Sequence, residues 1–292
     1  MPGLSLAVDV GGTKLAAGLV GRDGRLLEAA RAPTATGAGP EDLWDALAAL
    51  VTGVLARAPH GPPSVCGVGC GGPMDPGGEA VSPLNIPGWR RFPLRARVAG
   101  LTGLPTFVDN DAKALALAEG WVGAARGCDH YLAMVVSTGV GGGLVVDGRL
   151  LDGRLGNAGH IGHVVVEPDG RPCACGGRGC LEAEASGTAI AAATGRPAAE
   201  ASPEVVERTG TLVGRAVASV ANLLDLSLAV VAGSVALGFG EPFFAAATRE
   251  VRARARLSFS SGTRVVPGGL GADGPLVGAG AVGWRGLGGD GR

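Results

Sequence analysis

LSLAVDVGGTKLAAGLV, residues 4–20, is two apolar runs joined by a glycine turn. The first run (4–10) alternates and ends in β-branched residues, which predicts a buried strand. GGTK turns the chain, LAAGLV (15–20) returns as a second strand, and GRDGR (21–25) turns again into LLEAARA, completing a meander. The turn lacks the GxxxxGK[ST] spacing of a Walker A loop. It does not open into a helix, so it is not a Rossmann turn either. The same unit recurs downstream: YLAMVVS (131–137) predicts a strand, STGVGGG (137–143) a glycine-rich turn, and GLVVDGRLL a further strand pair.

Two such turns suit a pair of phosphate clamps. Without a Cβ, glycine lets backbone N–H groups approach an anion closely. The expected contacts are Gly11, Gly12, Thr13 and Lys14 in the first turn, and Thr138, Gly139 and Gly141 in the second. Ser137 can add a hydroxyl, and Asp9, at a strand end, can hold a metal-bound water. Ordinary hairpins, in which glycine only supplies positive φ, are the competing reading.

Around these units the pattern is α/β. PEDLWDALAALVTGVLARA (40–58) places apolar residues at helical spacing behind an acidic first turn. SVCGVGC (64–70) predicts a buried strand ending in the loop GGPMDPGG. TFVDN then leads into the helix DAKALALAEGWVG, and Val98–Leu101 precedes that strand. Helices are expected over 183–194, 203–224 and near 241–257, strands at 228–233 and in TRVVPGG, and a last small-residue helix in PLVGAGAVGWRGL. At the strand-to-helix junction Asp111 suits a helix N-cap. A carboxylate at a strand's end is also what a general base requires. Asp109 alternates with the strand instead.

CACGGRGCLE (173–182) holds three of six cysteines, ten residues after His163. His163, Cys173, Cys175 and Cys180 form a complete Cys3His set for a closed tetrahedral zinc site, with glycines supplying the bends. No C-x-x-C is present, which disfavours redox chemistry. Cys66, Cys70 and Cys128 fit no partner pattern.

The bulk composition excludes several classes. Apolar residues are 46% of 292, so the chain is not disordered. Basic and acidic residues balance, 25 against 26, with no bulk attraction to nucleic acid or membrane. No apolar run reaches the roughly 18 residues of a spanning helix, and the start of the chain does not read as a signal peptide. A cytoplasmic location with reduced thiols is expected. The two lysines, Lys14 and Lys113, both fall in candidate site segments.

DVGGTK, NIPGW (85–89), DNDAKALALAEG, STGVGGG, GHVVVEPDGRPCACGGRGCLE and LVGAG together resemble, in order, the ROK family, named for repressors, open reading frames and kinases. The resemblance implies an actin-like ATPase (ribonuclease H-like) fold of two α/β domains around a central cleft. The expected division is residues 1–110 plus about 275–292, and 111–274 with a zinc loop at 160–182. It implies ATP-dependent phosphorylation of a hexose or N-acetylhexosamine at the 6-hydroxyl, with Mg2+ accompanying ATP, structural Zn2+ and a homodimer or homotetramer. By motif, Asp111 resembles the catalytic base and Asn110 its neighbouring sugar contact. Gly71, Asn85, His163 and Glu182 fall at sugar-binding positions, and Gly233 near the adenine site.

Three departures stand out. His160 occupies the place of a sugar-binding glutamate, Lys113 ends NDAK where NDAN is usual, and Gly233-Ser234 replaces a Gly-Gly pair. Three functions compete. A glucokinase-like sugar kinase is the first, with an N-acetylmannosamine or other N-acetylhexosamine kinase as its variant. A DNA-binding repressor is disfavoured because DVGGTK begins at residue 9, leaving no room for a preceding helix-turn-helix, and TREVRARAR (248–256) reads as a solvated helix face. A sugar-binding sensor without catalysis is the third, opposed by Asp111 and both glycine turns.

Overall fold

The computed structural model describes residues 3–35, 37, 39–58 and 61–288. The chain divides into two compact units. The first comprises 1–122, 152–158 and 272–292, the second 123–151 and 159–271.

In the first unit, β1 (Leu4–Val10), β2 (Lys14–Gly21) and β3 (Leu26–Pro33) form the antiparallel meander. β4 (Val65–Cys70) and β5 (Thr106–Asn110) continue the sheet in parallel, giving the order β3-β2-β1-β4-β5. β1 is central and buried on both faces, and its alternation sorts the two sides. Leu6, Val8 and Val10 pack with Leu43, Leu47 and Val51 of α1 (Pro40–Ala56). Ala7 packs with Leu276 and Ala279 of the last helix, Gly274–Gly286.

The small residues on that second side have a physical cause. A Cβ at Gly67 of β4 would lie 1.9 Å from the carbonyl of Ala279, so only glycine lets the last helix sit this close to the sheet. On an adjoining face, a Cβ at Gly278, the residue before Ala279, would lie 2.5 Å from the carbonyl of Ala114. The helix Asp111–Trp121 is therefore packed directly on the glycine face of the last helix. The helix groups with the first unit, as does the strip 152–158, and the final segment joins from 272, whereas the expected division lies at 110/111.

Between α1 and that helix lies α2 (Leu94–Thr102), a helix where the sequence pattern predicts only a lead-in to the strand. The helices that follow are α3 (Asp111–Trp121), α4 (Leu181–Ala185), α5 (Gly187–Thr194), α6 (Pro203–Leu224), α7 (Ser234–Phe239), α8 (Glu241–Arg254) and α9 (Gly274–Gly286).

The second unit repeats the first sheet's plan. β6 (Tyr131–Val136), β7 (Val140–Val146) and β8 (Arg149–Leu150) run antiparallel. β9 (Leu228–Ala232) and β10 (Arg264–Pro267) add in parallel, in the order β10-β9-β6-β7-β8. α6 carries an apolar stripe at helical spacing, including Leu212, Val213, Ala216, Val217 and Ala221, that closes the core with β6, β9 and α8.

Three local readings change here. Gly141, Gly142 and Gly143 are strand residues of β7, so the second turn is only Ser137–Gly139. The expected helix 183–194 is broken at Ser186, whose side chain caps α5 by accepting the Ala189 N–H at 3.1 Å. The short helix α7 follows β9 directly, its start set by Gly233 at φ 99°.

Candidate active site

In the first unit, three distant segments meet at Asn85. Thr34 holds the first glycine turn, its hydroxyl donating to the Gly11 carbonyl (2.7 Å) and its N–H to the Thr13 carbonyl (3.0 Å). The Gly12 N–H takes no acceptor among the described residues. Asn85 lies against this turn, 2.8 Å from where a Gly12 Cβ would stand, and its Oδ1 lies 3.4 Å from a corresponding Gly71 Cβ. The loop carrying Asn85 is closed by Arg90, which donates from one nitrogen to the carbonyls of Pro83 (3.1 Å), Ile86 (3.3 Å) and Trp89 (2.9 Å). Sequence reasoning missed Arg90, for which no motif exists. Trp89 roots the loop, stacked on Phe92 at 4.1 Å and donating to the Pro40 carbonyl.

Asp9, Gly69 and Asp109 form one row across β1, β4 and β5. A Cβ at Gly69 would stand 3.7 Å from both Asp9 Oδ1 and the Cα of Asp111, so the two carboxyl-bearing residues flank one glycine. Burial, reinforced by Asp111, pushes Asp9 up to about 7. Burial also raises Asp111 above the ordinary carboxylate range, against the Ala112 N–H that lowers it. A carboxylate raised in this way is a stronger base near neutral pH. Contrary to the capping expectation, Asn110 is the N-cap of α3 and accepts from Ala112 N at 3.0 Å. Asp111 is the first helical residue.

In the second unit the shortened turn is a meeting point for three helices. Gly187 N–H, at the start of α5, donates to the Ser137 carbonyl (2.7 Å), and the Thr188 hydroxyl donates to that of Thr138 (2.9 Å). The Ser137 and Ser234 hydroxyls lie 2.9 Å apart, which gives the serine beside Gly233 a partner. Glu182 of α4 accepts the Val140 N–H at 3.0 Å and lies 2.9 Å from where a Gly139 Cβ would be. Gly141 sits one residue beyond, in β7.

The metal candidates converge. One ligand atom from each of His163, Cys173, Cys175 and Cys180 lies within 4.8 Å of all the others, the one such His/Cys/Asp/Glu group among the described residues. Cys175 and Cys180 sulfurs are 3.7 Å apart, and Cys173 Sγ is 3.8 Å from His163 Nδ1. Tetrahedral zinc at ordinary bond lengths requires about 3.8 Å between sulfurs and about 3.6 Å between sulfur and nitrogen. A disulfide requires about 2.05 Å. The donor set therefore fits Zn2+ and excludes a Cys175–Cys180 bond. Burial, with Cys173 and Cys175 nearby, pushes the Cys180 thiol up to about 12, while the Gly177 N–H holds Cys175 below the usual thiol range.

The loop is anchored by Glu184, which sequence reasoning passed over. This buried carboxylate accepts the Arg171 N–H (2.6 Å) and an Arg208 N–H from α6 (2.7 Å). Against the burial that would raise it, these donors keep Glu184 below the usual range. His160 is exposed, its ring 6.0 Å from that of His163.

The expected site residues thus gather in two sets. Asp9, Gly11, Gly12, Thr13, Lys14, Gly71, Asn85, Asn110 and Asp111 lie in the first unit. Thr138, Gly139, Gly141, His160, His163, Glu182, Gly233 and the three cysteines lie in the second.

Residues 5–283 match the model of the ROK family. The chain is 39% identical to an N-acetylmannosamine kinase of Escherichia fergusonii over 251 residues, 81% of this chain and 84% of that protein. It is 45% identical to a glucokinase of Thermotoga maritima over 195 residues, 65% of this chain and 60% of the other. Among solved structures, a ROK family glucokinase from Streptomyces griseus in complex with glucose and AMPPNP superposes with a TM-score of 0.84. It is 31% identical and covers 97% of this chain and 100% of its own. The two sheets of one plan are those of the actin-like ATPase fold.

Proposed function

Because this chain belongs to the ROK family, we propose that it is a sugar kinase that transfers the γ-phosphoryl group of ATP to the 6-hydroxyl of a hexose, with glucose as the first acceptor to test. The observation that carries the reading is Asp111. It stands at the head of α3, with Asn110 taking the cap, and burial raises its proton affinity. In this reading Asp111 accepts the hydroxyl proton as the oxygen attacks phosphorus. Asn110, Asn85 and Gly71 are the sugar-binding candidates of the first unit, and His160, His163 and Glu182 those of the second. The Gly12 N–H, which takes no acceptor among the described residues, is the first unit's candidate donor to a phosphate oxygen, and the turn Ser137–Gly139 is the second unit's candidate phosphate turn. Gly233 lies at the adenine.

Bound with ATP, Mg2+ would supply charge neutralisation at the phosphates, and Asp9 would hold it through water. Phosphoryl transfer passes through a loose transition state, so alignment and charge neutralisation supply most of the acceleration. His163, Cys173, Cys175 and Cys180 would hold zinc, which in such a closed site would shape the loop and take no part in bond making. A cytoplasmic homodimer or homotetramer belongs to the same proposal.

A second reading, an N-acetylmannosamine kinase, is favoured by the Escherichia fergusonii relative and by His160. Imidazole can donate where a glutamate can only accept, which suits a sugar presenting an N-acetyl carbonyl. A coupled ADP-release assay across glucose, mannose, fructose, N-acetylglucosamine and N-acetylmannosamine separates the two. Turnover of none of them would overturn the kinase reading and return the sensor.

A further inference from the structure

Lys113 is one of two lysines in the chain and is 97% hidden, its side chain only 3% exposed. Lysine is almost never buried unless paired. A cation in the first turn of a helix is also opposed by the helix dipole. Lys113 sits in the first turn of α3 nonetheless, two residues after Asp111.

Its surroundings account for it. The ammonium has three N–H donors and meets three acceptors: Asp109 Oδ1 at 2.8 Å, Asp152 Oδ1 at 2.8 Å and the Gly156 carbonyl at 3.1 Å. Asp109 is the residue on β5 two before the base. Asp152 and Gly156 belong to the strap 152–158, the strip of chain that returns to the first unit. The strap closes on itself, Ala158 N–H donating to the Asp152 carbonyl at 3.0 Å. Arg285 of α9 completes a four-charge network, 2.7 Å from Asp152 Oδ2 and 3.4 Å from Asp109 Oδ2. All of these groups lie in one unit.

We propose that Lys113 is a positioning residue for Asp111, clamping the first turn of α3 to β5 and to the strap 152–158 through one buried ammonium. This rests on the reading of Asp111 as the base. Asn110 holds the same turn from its cap side, so the carboxylate is bracketed by two anchors. Releasing one anchor frees the turn to shift, and a displacement of about 1 Å at a reacting group can cost about a hundredfold in rate.

The test compares wild type with Lys113→Met and Asp152→Ala, with Asp111→Asn in parallel. Each is assayed for kcat, for KM of ATP and of the accepted sugar, and for hydrogen exchange in peptides spanning 109–116 and 152–158. Measurements are made at a temperature where a melt shows each protein folded. Expected for Lys113→Met is a kcat loss of roughly 10- to 100-fold, KM for ATP within about twofold, and faster exchange in both peptides. A merely structural lysine would lower the melting temperature and leave kcat of the folded protein alone. Asp152→Ala removes an exposed partner without stranding a buried charge, and should move both readouts the same way by a smaller factor. A folded Lys113→Met protein with kcat within twofold of wild type overturns the proposal. Should Lys113→Met fail to fold, unchanged kcat and exchange in Asp152→Ala overturn it instead. Full activity in Asp111→Asn would sink the base reading alone, since the exchange data still report the clamp.

Discussion

Glu182 Oε2 accepts the backbone N–H of Val140 at 3.0 Å, so the helix that follows the last cysteine ligand rests on the second glycine turn. Cys180, the residue before α4, is both a candidate metal ligand and the N-cap of that helix. The metal loop and the turn are thereby mechanically joined.

One zinc per chain is expected by elemental analysis of protein purified without chelator. Cys175→Ser should lower that content. Through Glu182 it should raise KM for both sugar and ATP, not for the sugar alone. Metal-binding free energy is largely folding free energy, so the variant should also melt earlier. Absence of zinc, or a Cys175→Ser protein with both KM values unchanged, would remove the metal centre from the account.

Asp111→Asn keeps size and removes the basic carboxylate. A loss of about 10²–10⁴ in kcat is expected, with sugar affinity retained. Because the capping oxygen belongs to Asn110 and a buried charge is removed, the melting temperature at neutral pH should not fall, whereas Asn110→Ala should cost about 0.5–2 kcal/mol of stability. Retention of more than about half of wild-type kcat in Asp111→Asn would end its assignment as base.

Asp9 should make stability depend on pH. Its value in the folded protein, about 7, lies above the ordinary 3.8 of the unfolded chain. Between those values the folded state holds a proton that the unfolded state has released, so folding weakens as pH rises through this window. The penalty is absent below about pH 4 and complete above about pH 7. Asp9→Asn should therefore stabilise the protein at pH 8, by at most about 4 kcal/mol, and by less than about 2 kcal/mol at pH 5. Thermal melts at the two pH values check this, and equal shifts at both would contradict it. The same variant should lose turnover, if Asp9 serves the nucleotide's magnesium.

His160→Glu should raise kcat/KM for glucose at pH 7.5 by at least several-fold. Glutamate restores two acceptors for sugar hydroxyls, and one charged hydrogen bond is worth roughly 1.5–3 kcal/mol. A wild type that already turns over glucose efficiently, with no gain in the variant, would show that this position does not set the acceptor.

Much of this molecule is legible in local sequence, because the forces involved act over a few residues. Alternation marks β1 and an apolar run marks β6, and the glycine turn after each marks the two sheets that share one plan. The candidate ligands His163, Cys173, Cys175 and Cys180 span 18 residues, and tight backbone bends suffice to gather them. Glycine runs misled at 141–143: the same residue that frees a turn also admits a close neighbour inside a strand, and composition cannot separate the two uses.

What tertiary structure alone decided is which distant side chains share a contact. Nothing periodic relates Gly12 to Asn85, Val140 to Glu182, or Lys113 to Asp152 and Arg285. Those pairings arise where sheet register and the packing of α3 on α9 bring segments together, and the energy that selects them is the cost of burying an unpaired polar group. In sequence Lys113 is only a departure from NDAN, two residues after a candidate base. Only folding supplies the three acceptors, one of them 43 residues away, that make its burial affordable.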